Sequence, residues 1–448
     1  MFAAAGAPPV LVDASRARGL AVVETAGVTA ACVMAAVTAE LHDAPGAALV
    51  SLAGALAPVV DGAAHATRDR APVIVVSDAG ADARLLEPVT KASMVADPAS
   101  AAHWIAHAAQ AAMAHPRGAV HLAIPAAVAT APALPVATAV RRAPPPSPPS
   151  EALDALADAI ARASRPVLVA GLETGPDDAT WIRALAESLP TPVLTTPKGK
   201  GALPDPHPLA FGLLGADHPL LAQADLLLVV GVDPVEVAPG VWPAGVPRAR
   251  IARAPHDDAL VGDIALVIEE LAPRLRGRTR ADWDVAALDR LKRARATFES
   301  GFGRRRVVEI AREMTSAGTL LALDVPLASA WASVAPRECL VPNGVATLGF
   351  ALPAALAAAL AREDARVIAI GAAAGFAAMA GEWALAARLG VPIVAVALNQ
   401  AGAADVAGAA LGAGIDVAPA MDAGSFRVSF ERAWRASAPM LVDVHVSR

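Results

Sequence analysis

The sequence predicts an α/β protein that contains more than one domain. Short apolar runs, bounded by Gly, Pro or Asp, alternate along the chain with longer segments of helical character. This alternation favours parallel strands joined by helices. The 448 residues exceed what one hydrophobic core normally holds, and a proline-rich stretch interrupts the pattern. Together, pattern and length predict two or three α/β domains.

The first predicted unit covers residues 1–128. Its stretch PVIVVS, at 72–77, is apolar almost throughout, which is typical of a strand buried on both faces of a parallel sheet. The predicted strands of this unit are 21–23, 47–51, 72–77 and 119–124, and the predicted helices are 27–41, a helix ending at 66, and 99–114.

Residues 129–150 read ATAPALPVATAVRRAPPPSPPS, and their prolines exclude regular structure. We therefore predict a stiff linker and a domain boundary there. A second unit, 151–302, follows with predicted helices at 151–163 and 177–188 and strands at 165–171, 191–196 and 224–231. One helical, arginine-rich stretch, 282–313, leads out of it.

The third predicted unit covers residues 303–448. It resembles the first in size and in its alternation of elements, which suggests a duplicated fold. Its predicted strands are 319–324, 367–370, 392–398 and 440–446, and its predicted helices are 353–361, 377–389 and 425–436.

Composition argues against several classes of partner. The net charge is −6, aromatic residues make up 3%, and the chain has no tyrosine, so nucleic acid and anionic membranes are poor partners. No apolar run has the length of a membrane span, and the first residues lack a signal-peptide pattern. Cys32 and Cys339 lack metal-ligand spacing and suit buried thiols in a reducing cytoplasm.

Several residues with potential chemistry allow two interpretations. Glu24 follows an apolar strand and precedes a helix, where a carboxylate can relay protons or simply stabilise the helix N-terminus. Gly171 and Gly231 each end a buried strand, but neither begins a complete dinucleotide fingerprint. His103 and His107 are four residues apart on one helix, and without a third ligand they indicate a surface pair rather than a zinc site.

The turn after the strand at 367–370 is the most informative feature. It reads GAAAG, from Gly371 to Gly375, and it stands where an α/β enzyme usually holds a phosphate or a metal. Its alanines offer no side chain that can hold either group.

Four stretches, taken in order, resemble the thiamine diphosphate (ThDP) enzymes of the acetolactate synthase type. They are 24–31; 88–91 with Asp97-Pro98 and 117–125; 199–204 with His207-Pro208 and 212–215; and 343–355. The resemblance runs almost end to end. It implies three doubly wound domains with parallel sheets: pyrimidine-binding, central and pyrophosphate-binding. It also implies a homodimer or homotetramer, with active sites between chains, and a catalytic paralogue or regulatory subunit as a further partner.

The resemblance also assigns roles to single residues. Glu24 matches the glutamate that hydrogen-bonds the aminopyrimidine, and Leu348 matches the bulky residue that bends the cofactor. Gly349, with the turn between Gly371 and Gly375, matches the surroundings of the diphosphate. Asn399 and Gln400, at the end of the next strand, stand where the family has Asn-Asn.

Two family metal ligands are missing at the matching positions. The family turn is Gly-Asp-Gly, whose aspartate position is Ala373 here, and Gln400 replaces the second asparagine. Magnesium requires oxygen ligands, usually a carboxylate. We therefore expect a non-catalytic or repurposed homologue that holds no cofactor tightly. The alternatives are an active 2-oxo acid decarboxylase or carboligase using ThDP and Mg, and a protein that binds FAD in its central domain.

Overall fold

In the part of the chain that the structure describes, the strands form three parallel six-stranded sheets. The structure, a computed structural model, describes residues 1–78, 81–132, 145–256, 258–295, 301–345, 347–400 and 405–446. Every pairing between neighbouring strands in these residues is parallel, as the alternation of strands and helices predicts.

The first sheet has the strand order β2-β1-β3-β4-β6-β5. Its strands are β1 (Phe2–Ala4), β2 (Val23–Thr25), β3 (Gly46–Val50), β4 (Val73–Ser77), β5 (Ser93–Val95) and β6 (Val120–Ala123). The helices are α1 (Pro9–Ala17), α2 (Val28–His42), α3 (Leu52–Arg68), α4 (Ala101–Met113) and α5 (Ala126–Ala129).

The central sheet has the order β12-β11-β10-β7-β8-β9, in which the direction of winding reverses between β7 and β10. The strands are β7 (Pro166–Ala170), β8 (Val193–Thr195), β9 (Ala210–Leu213), β10 (Leu226–Val230), β11 (Arg248–Ala252) and β12 (Ala259–Val261). The helices are α6 (Ser150–Arg162), α7 (Pro176–Ser188), α8 (Ile264–Leu275) and α9 (Val285–Arg295).

The third sheet, β14-β13-β15-β16-β18-β17, repeats the strand order of the first, which supports the predicted duplication. Its strands are β13 (Leu320–Leu323), β14 (Cys339–Leu340), β15 (Val367–Ala372), β16 (Ile393–Asn399), β17 (Asp416–Ala420) and β18 (Met440–His445). The helices are α10 (Arg304–Glu313), α11 (Ala351–Ala361), α12 (Ala373–Ala378), α13 (Gly381–Leu389), α14 (Val406–Gly412) and α15 (Ala423–Arg435).

The first and third domains share one hydrophobic core. Helix α2 packs along α11, and both helices are buried over most of their length. Their small residues, mostly alanine, let the two backbones approach closely, so the alanine-rich composition serves this interface.

Buried ion pairs connect the central domain to the first. Lys198, 4% exposed, contacts carboxylate oxygens of Glu40 and Asp69, each at 2.8 Å. Arg70 donates two hydrogen bonds, of 2.8 and 2.9 Å, to the buried carboxylate of Asp233. These contacts fix the position of the first domain against the carboxyl edge of the central sheet.

The structure corrects several sequence predictions. The strand expected at 21–23 lies at Val23–Thr25, and the strand Phe2–Ala4 was not predicted. The helical stretch 282–313 is two helices, because a segment containing Gly301 and Gly303 separates α9 from α10.

The predicted linker, 129–150, lies partly outside the described residues, at 133–144. Within the described part, helix α5 extends to Ala129 and α6 begins at Ser150. No helix in the described part of the chain is both long and apolar enough to cross a membrane.

Candidate functional site

The turn after β15 is tightly closed. Strand β15 continues through Gly371 to Ala372, and helix α12 begins directly at Ala373, so the expected loop is a strand-to-helix junction. Ala373 is only 1% exposed, and Gly371 and Gly375 are buried. The side chain at the family metal position therefore packs in the core and offers no ligand atom.

Gly349 brings a second loop against this junction. Its φ is +80°, which favours glycine, and a Cβ there would lie 2.5 Å from the carbonyl oxygen of Gly375. Leu348, the preceding residue, is 60% exposed. The structure thus brings Gly349, Gly371 and Gly375 together and leaves Leu348 pointing away from this chain's core.

An aspartate missed by the sequence analysis lies at the junction. Asp324 follows β13, the neighbour of β15, and its Oδ1 accepts a hydrogen bond from the Ala372 amide at 3.2 Å. A Cβ on Gly371 would lie 2.4 Å from this oxygen, so the carboxylate fills the space beside the turn. Burial raises the pKa of Asp324 to about 6, while hydrogen bonds from the amides of Ala372 and Ala351 partly oppose that shift.

The sequence contained the signal for this residue. Asp324 closes a predicted strand at the carboxyl edge of the sheet, which is where ligands bind in open α/β folds. What the sequence could not supply was the adjacency of β13 and β15, because the two strands are separated by more than forty residues.

The end of β16 supplies little to a metal. The Asn399 side-chain amide donates a hydrogen bond to Asp443 at 3.1 Å, and Gln400 is exposed. Magnesium prefers an octahedron of oxygen ligands that includes carboxylates. Ala373 and Gln400 therefore do not fit the magnesium site that the resemblance implies.

Glu24 lies on β2, the edge strand of the first sheet, and its side chain is 53% exposed. Its Oε1 contacts the guanidinium of Arg16, and its backbone carbonyl accepts a hydrogen bond from Arg388 at 2.5 Å. A cavity of about 380 Å³ opens beside it. The charged residues that line this cavity are Asp13, Arg16, Glu24 and Arg388.

Helix α13 closes the other side of this cavity. The cavity lining includes Gly381 and Leu385 of α13 and, within the described residues, none of the turn from Gly371 to Gly375. In one chain, then, Glu24 and the turn line different surfaces.

A buried glutamate fixes the position of β2 relative to α13. Glu382, 1% exposed, accepts a hydrogen bond of 2.8 Å from the Gly27 amide, just after β2. Its other oxygen has no hydrogen-bond partner among the described residues, and burial raises its pKa. The sequence gives no signal for this residue either, since it is an isolated glutamate in a helix.

The remaining candidate residues lie at the surface, in the core and at strand ends. His103 and His107 are exposed on α4, and both cysteines are buried and free. Gly171 and Gly231 lie at the carboxyl ends of β7 and β10, where the central sheet reverses its winding.

Two family profiles match the chain. The profile described as thiamine pyrophosphate enzyme, central domain, matches residues 153–271. The profile described as thiamine pyrophosphate enzyme, C-terminal TPP binding domain, matches residues 324–409. The second match contains both Asp324 and the altered turn.

Characterised relatives share modest identity with the chain. The catabolic acetolactate synthase of Raoultella terrigena is 27% identical over 406 residues, which cover 80% of this chain and 72% of that protein. The acetolactate synthase isozyme 1 large subunit of Escherichia coli (strain K12) is 29% identical over 235 residues, or 46% of this chain. That match spans 41% of the E. coli protein, less than half of its length.

The fold also matches a solved structure over its whole length. Benzoylformate decarboxylase from Polynucleobacter necessarius superposes with a TM-score of 0.82 and 17% identity, covering 100% of this chain and 95% of the other. At that identity the likeness concerns the fold.

Proposed function

The chain belongs to the acetolactate synthase-like thiamine diphosphate enzyme family, and from this premise we propose that it is a non-catalytic or repurposed member that does not hold ThDP and magnesium in the family manner. The proposal rests on one observation, the burial and the side-chain type of Ala373 at the junction of β15 and α12. This residue, at the family position for the metal carboxylate, is 1% exposed and has no ligand atom.

Electrostatics supports the same proposal. A diphosphate brings at least two negative charges into a partly buried site, and without a cation their desolvation costs several kcal/mol. Asp324 adds a further carboxylate and already accepts hydrogen bonds from the amides of Ala372 and Ala351. The backbone groups that could bind an anion here are thus partly occupied by a group of the same charge.

The cavity beside Glu24 supports a repurposed role. It remains open between β2 and α13, with the guanidinium groups of Arg16 and Arg388 beside Glu24. The exposed Leu348 and Glu24 leave surface available to another chain. We therefore also propose a homodimer or homotetramer, with a catalytic paralogue as a further partner.

An activity assay tests the proposal. Purified chain, with ThDP and Mg²⁺ in excess, is incubated with pyruvate and with other 2-oxo acids, and release of CO₂ is measured. The proposal predicts that the unaltered chain releases no more CO₂ than the Glu24→Gln variant does. Turnover that requires both ThDP and Mg²⁺, and that Glu24→Gln abolishes, contradicts it.

One observation favours an active enzyme as the second candidate. The carboxylate of Asp324 reaches the turn from the neighbouring strand and could replace the missing aspartate as an oxygen ligand. In that case Asp324→Asn abolishes turnover, whereas Asp364→Asn, at an exposed position, leaves it unchanged. No turnover in the unaltered chain eliminates this candidate.

A further inference from the structure

The carboxyl edge of the central sheet brings together a second set of polar residues, remote from the turn. Glu173 follows β7, Asp233 follows β10, and His256 follows β11. The first two strands flank the point where the winding of the sheet reverses, which is the usual ligand position in open α/β sheets. No residue of the altered turn or of the Glu24 cavity takes part.

The three side chains converge. One ligand atom from each lies within 4.8 Å of the other two, and His256 Nε2 is 3.9 Å from Asp233 Oδ2. Imidazole and carboxylates together are a donor set that suits Zn²⁺. A tetrahedral zinc site places its ligand atoms about 3.4 Å apart, so binding would draw these atoms inward by about 1 Å.

The imidazole lacks a hydrogen bond. His256 Nε2 is inaccessible to solvent and has no hydrogen-bond partner among the described residues, although its side chain is 13% exposed. A buried nitrogen left in this way costs free energy, and a bound cation would remove that cost.

Both carboxylates are oriented by other groups. Glu173 accepts hydrogen bonds from the amides of Arg253, at 2.7 Å, and Ala254, at 3.1 Å. Arg70, from the first domain, and the Val235 amide hold Asp233. Hydrogen bonds of this kind fix the direction of a ligand's remaining lone pairs and raise metal affinity.

We propose that Glu173, Asp233 and His256 form a binding site for one divalent transition-metal ion of the Zn²⁺ type. Asp233 is also the carboxylate that Arg70 binds from the first domain, so the ion and this guanidinium would share it. The proposal concerns a different sheet edge from the ThDP site and stands or falls independently of it.

The test is a Zn²⁺ titration of chelator-treated full-length chain, in competition with a chromophoric chelator. We expect one tight site per chain, and His256→Ala weakens it at least about tenfold. The matched control is His103→Ala/His107→Ala, which removes the exposed histidine pair and leaves the tight site intact. Zn²⁺ should also raise the unfolding temperature of the unaltered chain but not that of His256→Ala.

Glu173→Gln is a second variant in case His256→Ala does not fold. It keeps the side-chain length and one oxygen for the Arg253 amide, and it should weaken Zn²⁺ binding to a similar extent. The proposal is overturned if no tight site exists, if both variants bind Zn²⁺ as the unaltered chain does, or if the site disappears with His103 and His107.

Discussion

The carboxylate of Asp324 lies directly against Gly371, on the neighbouring strand, where a Cβ would come within 2.4 Å of Oδ1. The same oxygen accepts a hydrogen bond from the amide of Ala372. The Asp324 carboxylate therefore occupies space beside this strand-to-helix junction. At the junction itself, Ala373 stands where the family has an aspartate that binds the metal. This relationship leads to the first prediction.

Replacing Asp324 with asparagine should change how stability depends on pH. Since burial raises the pKa of Asp324 to about 6, the folded chain binds this proton more tightly than the unfolded chain. This contribution to stability is full at low pH and is lost as pH rises toward 6. Asp324→Asn should therefore gain about 2 kcal/mol of stability relative to the unaltered chain between pH 4 and pH 7, since each unit of pKa shift corresponds to about 1.4 kcal/mol.

Urea unfolding at both pH values measures this difference. Asp364→Asn, an exposed position on the same domain, is the control and should follow the unaltered chain. If the stability of Asp324→Asn and that of the unaltered chain change equally between the two pH values, burial does not raise the pKa of the Asp324 carboxyl.

Gly349→Ala should destabilise the junction by more than backbone strain alone. Both Gly349, at φ +80°, and Gly414, at φ +83°, have left-handed backbones, but a Cβ on Gly414 meets no described residue within 4 Å. Gly414→Ala should therefore cost about 1 kcal/mol, from strain alone. Gly349→Ala adds a clash with Gly375 and should cost at least about 2 kcal/mol. Equal shifts in thermal unfolding would refute the close approach.

Lys198→Met should weaken the attachment of the central domain to the first. Removing the buried ammonium leaves Glu40 and Asp69 without their shared partner, which costs about 3–5 kcal/mol. The triple variant Glu40→Gln/Asp69→Asn/Lys198→Met removes all three charges and should be more stable than Lys198→Met. Limited proteolysis and urea unfolding measure both effects, and a triple variant less stable than the single one goes against this explanation.

Glu382→Gln should be close to neutral, whereas Glu382→Ala should be destabilising. The amide oxygen of glutamine still accepts the hydrogen bond from Gly27 and carries no buried charge. Alanine leaves the Gly27 amide unpaired and a space in the core, which costs about 1–3 kcal/mol. Unfolding free energies rank the two variants, and a larger loss for glutamine than for alanine would contradict the role given to this carboxyl.

Much of the fold follows from local pattern, because buried parallel strands are apolar and are bounded by residues such as Gly, Pro or Asp. Strands such as β4, β7 and β16 were predicted almost residue for residue. Short edge strands such as β5, β12 and β14 were not, since two or three residues carry no periodicity. The region after Gln400 also holds α14 and β17, which the alanine- and glycine-rich sequence did not indicate.

The candidate site was only partly predictable, for a physical reason. The resemblance located the glycines at 349, 371 and 375, and the structure adds that a Cβ on any of them would come within 3.0 Å of a neighbouring atom. The partners of Glu24, Asp324 and Glu382 come from distant segments, so only the folded chain brings them together. The same holds for the cluster of Glu173, Asp233 and His256.

Calorimetric titration of ThDP, with Mg²⁺ in excess, tests the central claim most directly. The unaltered chain should give no binding below about 1 mM, because Ala373 and Gln400 cannot hold the metal. Ala373→Asp/Gln400→Asn, which restores both family side chains, should bind more tightly, whereas Ala374→Asp/Gln400→Asn, with the new carboxylate at an exposed position, should not. Micromolar, Mg²⁺-dependent binding of ThDP by the unaltered chain would contradict the account.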